Sequence, residues 1–206
     1  MTERFFPLLL LSTGFFLLAT ALSGCGSDAR YIEPGGPEAL VTVSSIDPAE
    51  WKRVAGEAAQ SLIASGALKR NDGMEPVVMI GRVRNYTLIH LETGLMTNQL
   101  RQAILASKQA RVSSAVGYGG NLDRAVRRIR DNENDDLFNQ ATVLKRGTVI
   151  APNFSLAGMV IQQKTVSGRT EESYYMFHLT LTDLKTGVAV WEKNIDFAKQ
   201  ATRPIL

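Results

Sequence analysis

The chain has 206 residues, one cysteine, two histidines and a formal net charge of +3. That length holds one ordinary domain or at most two small ones. A lone cysteine excludes an intramolecular disulfide framework and any cysteine-rich zinc or iron–sulfur site. Hydrophobic residues at 45% and charged residues at 21% are globular values, and a surplus of three charges is too small to argue for nucleic acid.

The first 25 positions carry a targeting signal. After Met1-Thr2-Glu3-Arg4, the stretch from Phe5 to Leu22 has no charged residue and is rich in Leu and Phe. Pro7 and Gly14 interrupt it, and small residues close it, which describes a secretory signal peptide over residues 1–24 rather than a spanning helix. The stretch ends in Leu22-Ser23-Gly24-Cys25, which resembles the bacterial lipobox. Cleavage there would leave Cys25 as the site of a covalent lipid, and no other cofactor is expected. Gly26 stands where an inner-membrane retention signal would place aspartate, so the expected location is the outer membrane, facing the periplasm.

Residues 25–46 read as a short tether, with Pro34, Gly35, Gly36 and Pro37 clustered in it. The globular domain is expected over 47–206. Asp47, Pro48 and Glu50 have the spacing of a capping box, and Trp51, Val54, Ala58 and Leu62 recur at helical period up to a stop at Gly66. Val77-Val78-Met79-Ile80 predicts a strand buried on both faces. A helix is expected from Thr93 to Ser107, with Met96, Leu100, Ala103 and Ile104 inward. A short strand follows over 111–116, then Gly117-Tyr118-Gly119-Gly120. Asn121 is placed to cap a third helix, and Leu137 to Leu144 reads as a further helical turn. From residue 148 the period becomes two: Tyr175, Phe177, Leu179 and Leu181 alternate cleanly, and Asp183 to Gly187 makes a tight turn. The pattern predicts an α/β fold, a single domain with a mixed sheet flanked by helices and a C-terminal antiparallel meander.

Catalytic motifs do not assemble. The Gly117–Gly120 run lacks both the GxGxxG spacing and the GK[ST] ending, so it reads as a turn. Asp131, Glu133 and Asp135 alternate as in a calcium loop, but Asp136 occupies the position that needs glycine. His90 falls in a polar linker, and His178 falls on the strand face opposite Tyr175, Phe177 and Leu179. Neither has a serine elbow beside it. Metal and small-molecule substrate are therefore not expected. Arg124, Arg127 and Arg128 form a basic stripe on the third helix, and Arg82 and Arg84 follow the first strand. Such a stripe is either a solvated helix face or a docking surface for an acidic partner.

Three blocks carry a resemblance: Tyr31-Ile32-Glu33-Pro34-Gly35-Gly36 soon after the cysteine, Gly81-Arg82-Val83-Arg84-Asn85-Tyr86-Thr87, and Phe154-Ser155-Leu156-Ala157-Gly158 with Tyr174 to Gly187 and Trp191-Glu192. Together they resemble the LpoB family of outer-membrane lipoprotein activators of penicillin-binding proteins. The resemblance implies a fold like the N-terminal domain of TolB. It also implies docking on a noncatalytic domain of a bifunctional class A penicillin-binding protein, to stimulate peptidoglycan synthesis, with no catalytic residue of its own. The alternative is a binding module in another envelope assembly or secretion complex. Cys25 is the expected lipidation site, and Arg82, Arg84, Arg127 and Arg128 are the candidate partner contacts, chosen by charge.

Overall fold

A computed structural model describes residues 29–70, 72–117, 123–131, 136–143 and 147–203. Cys25, the signal segment and most of the Gly117–Gly120 run lie outside the described residues. Residues 34–206 form one compact unit, with a boundary between Glu33 and Pro34.

Helix α1 spans Pro48–Ser65. Its start is the predicted capping box: the Asp47 carboxylate accepts from the Glu50 amide at 3.0 Å, and Glu50 accepts from the Asp47 amide at 2.9 Å. Gly66 ends it in the left-handed region at φ 72, where a side chain would cost energy. Trp51, Val54, Ala58 and Leu62 are all buried. Helix α2 runs Gly94–Ser107 with Thr93 as N-cap, and it buries Met96, Leu100 and Ile104. Helix α3 is Ala125–Asp131.

Five strands form one mixed sheet in the order β2-β1-β3-β4-β5. They are β1 Val77–Tyr86, β2 Arg111–Val112, β3 Phe154–Ser167, β4 Thr170–Asp183 and β5 Ala189–Thr202. β1 pairs in parallel with β2 and β3, while β3, β4 and β5 make the antiparallel meander. The two hairpin turns carry Gly168 at φ 58 and Gly187 at φ 73.

Three local expectations change. The first strand does not stop at Ile80 but runs on to Tyr86, because a bulge between Ile80 and Val83 lets β1 stay paired with β3. Val77, Val78 and Ile80 are buried and Met79 half-buried, as expected of that run, while the added length exposes Arg82, Arg84 and Tyr86. The strand expected over 111–116 pairs only at Arg111 and Val112. Residues 139–142 form a hydrogen-bonded turn, from the Thr142 amide to the Asn139 carbonyl, in place of a helix.

The core lies on one side of the sheet. Val78, Ile80, Leu156, Val160, Tyr175, Phe177, Leu179, Leu181, Trp191 and Ile195 face α1 and α2. Trp51 meets Phe177 edge-on at 5.4 Å, and Phe177 and Tyr175 stack on Phe197. Gly158 sits at a core position because a Cβ there would come within 2.3 Å of the His178 carbonyl oxygen. Part of the segment read as tether belongs to the domain. Ile46 is in the core, the Tyr175 hydroxyl donates to the Val43 carbonyl at 3.3 Å, and Gly35 lies so close to Ala49 that a Cβ there would come within 2.4 Å of the Ala49 methyl.

Candidate docking surface

The sheet alternates in and out with period two, so one face is set by which residues are not in the core. Met159 and Ile161 on β3, Tyr174, Met176 and His178 on β4, and Glu192, Asn194 and Asp196 on β5 all point away from α1 and α2. Among the described residues α1 and α2 pack on the opposite face, and α3 comes near this one only at the Val77 end of β1. Register aligns them in rows. Arg84, Met159, His178 and Asn194 form one row; Tyr86, Ile161, Met176 and Asp196 form the next.

The face is graded in polarity from strand to strand. On the β1 side Arg84 reaches the Tyr86 hydroxyl at 3.3 Å. In the middle, Met159, Ile161 and Met176 make a half-buried apolar strip. On the β5 side the Tyr174 hydroxyl donates to Asp196 at 3.2 Å, and partial burial together with that carboxylate raises the tyrosine pKa. His178 bridges Asn194 at 2.7 Å and Thr180 at 3.1 Å, with Glu192 at 3.8 Å. Both of its ring nitrogens are thus taken up by neighbours. That fits a surface network, not a general base waiting for substrate.

The structure divides the four candidate arginines between two places. Arg82 is exposed at the β1 bulge and Arg84 lies on the open sheet face. Arg127 and Arg128 are exposed on α3, which turns Val126 and Ile129 toward a groove of about 350 Å³ shared with Val77, Val112, Val149 and Ile150. Val77, at the α3 groove, is seven positions from Arg84 on β1, roughly 23 Å along an extended strand. Charge counting along the sequence could not separate the two arginine pairs. Sequence reasoning also missed the acidic side of the sheet face, because Glu192 and Asp196 look like ordinary solvated strand residues until the register lines them up. A second concavity, of about 580 Å³, is lined by Lys69, Arg70, Asn153, Asp183 and Lys185. Arg70 there is already paired with Asp72, whose carboxyl it holds down at about 2.

Comparison with known proteins gives one assignment. No curated protein matches the chain. Among solved structures, the LpoB C-terminal domain from Salmonella enterica is similar at 14% identity and a TM-score of 0.40, covering 72% of this chain and 98% of that one. The LpoB C-terminal domain from Escherichia coli is similar at 12% identity and 0.39, with the same coverage. Lipoprotein GNA1162 from Neisseria meningitidis follows at 11% identity and 0.34, covering 61% and 84%. The family model described as "Peptidoglycan-synthase activator LpoB" matches residues 50–197, from the first turn of α1 to Phe197 on β5. The chain therefore belongs to the LpoB family.

Proposed function

We propose that this protein is an outer-membrane lipoprotein, lipidated at Cys25, that binds a bifunctional class A penicillin-binding protein and stimulates its peptidoglycan synthesis. The observation that carries this is the family match over residues 50–197, which takes in nearly every element of the fold. Activation of this kind needs no chemistry from the activator. It needs only tighter binding to the active form of the synthase than to the resting form. Arg127 and Arg128 on α3 are the cations we assign to the synthase, since both are exposed while Val126 is turned inward.

The test is glycan polymerisation by the cell's own class A synthase, with and without the purified full chain in detergent. Stimulation that saturates in the micromolar range is expected. No binding and no stimulation at that concentration would sink the reading.

The docked segment favours a second reading. Because the compact unit begins at Pro34, only nine residues, Cys25 to Glu33, remain between the lipid site and the domain. Fully extended they reach roughly 30 Å, less than half the reach of a tether running to Ile46. A partner close to the outer membrane, in another envelope complex, suits that reach. Co-purification from membranes separates the two readings by whether a penicillin-binding protein comes with it.

A further inference from the structure

The open sheet face is self-complementary. It carries Arg84 on β1 at one side, Asp196 and Glu192 on β5 at the other, and the Met159, Ile161, Met176 strip between them. The midpoint of the four strands β1-β3-β4-β5 falls between β3 and β4. A two-fold axis laid there, parallel to the strands, stacks two copies face to face and sets β1 of each over β5 of the other. Rows stay level under this operation. Ile161 then lies over Met176 of the second copy, Tyr86 over Asp196, and Arg84 over Asn194, between the two carboxylates. The other two-fold arrangement, with the axis across the strands, puts β1 over β1 and arginine over arginine. Charge selects the first.

We propose that this face is where a second copy of the chain binds, as a sheet-on-sheet homodimer in which Arg84 of each protomer meets Asp196 and Glu192 of the other. Four strands at about 4.8 Å spacing and about seven residues at 3.3 Å give a face of roughly 450 Å² per protomer. Twice that is at the low end of specific interfaces, so the dimer is weak in solution and strengthened when both copies are held on one surface. At Gly35 the chain runs beside Ala49 of α1, in the helical layer. The pairing is independent of any synthase.

Sedimentation of the full chain in detergent, over a concentration series, tests it. The wild type is expected to go from monomer to dimer in the tens-of-micromolar range, and the dimer to weaken with added salt. Arg84→Glu and Asp196→Arg should each weaken it by roughly tenfold, and the double change should recover most of the loss, because it exchanges the two sides. Met176→Asp, which puts a charge into the apolar strip beside Asp196, should abolish it with the circular dichroism unchanged. A monomer at all concentrations would overturn the proposal, as would a dimer indifferent to Met176→Asp or a double variant no better than the singles. So would a chain that stays monomeric and loses synthase binding on Met176→Asp, since the face would then belong to that partner.

Discussion

The ammonium of Lys199 lies 2.7 Å from Oε2 of Glu50, an ion pair between the far end of β5 and the first turn of α1. The same Lys199 donates to the Ser45 carbonyl, and the same Glu50 oxygen accepts the Asp47 amide at 2.9 Å. One buried pair therefore closes the helix cap, fixes the last strand and pins the chain where it enters the domain. Its side chains are 9% and 18% exposed, so water does little to screen it.

Removing one partner should loosen all three features. Lys199→Met is expected to cost about 1–3 kcal/mol in urea unfolding, because it leaves a half-buried carboxylate and an unpaired carbonyl. Amide exchange should speed up at residues 43–47 more than in β3. An unchanged exchange rate there would mean the pair does not hold the segment.

Gly158→Ala places a methyl group 2.3 Å from a backbone oxygen of β4, and backbone in the centre of a sheet cannot step aside. A loss of about 3 kcal/mol or more is expected, read as a lower urea midpoint or as insoluble protein. Gly73→Ala, at φ 70 with open space around it, should cost only about 1 kcal/mol.

Phe177 contacts both Trp51 and Phe197 and is fully buried. Phe177→Ala should cost about 3–5 kcal/mol, whereas Phe177→Leu, which refills much of the volume, should cost less. Equal losses for the two would show that the site collapses around the cavity.

Glu171 contributes to the acid limb of stability. Lys164 at 2.7 Å, with Arg203 at 3.6 Å, holds its carboxyl below the ordinary value of 4.5. A lowered folded-state pKa stabilises the fold above the unfolded value, and the gain is lost as pH falls through the folded value. Unfolding midpoints should therefore drop below pH 4.5 by less in Glu171→Gln than in the wild type. Parallel profiles would show that other carboxylates govern the acid limb.

Charge reversal at α3 addresses the proposed synthase contact. Arg127→Glu with Arg128→Glu should raise the concentration needed for half-maximal stimulation by roughly tenfold or more, with the fold and the plateau unchanged. Stimulation at wild-type concentrations by this variant would remove α3 from the interface.

Several elements were legible before any coordinates because their signals are local. Asp47, Pro48, Glu50 and Gly66 marked both ends of α1, since caps are chosen by residues within one turn. The alternation of Tyr175, Phe177, Leu179 and Leu181 marked β4, since period two reports burial on one face. What the sequence determined by itself, then, was the membership of each segment in a helix, a strand or a turn, and which side of it is apolar.

The tertiary structure decided what those sides meet. Only register across the sheet brings Arg84, Met159, His178 and Asn194 into one row, drawing on residues up to 110 positions apart. Only folding seats Val43 under the Tyr175 hydroxyl, 132 positions away, and turns part of a tether into part of the domain. The bulge that carries β1 to Tyr86 depends on β3 offering a partner, so charged Arg82 and Arg84 looked like the end of a strand. Periodicity measures burial along one segment; pairing between distant segments has no local trace, because the hydrogen bonds that make it exist only once the chain has closed on itself.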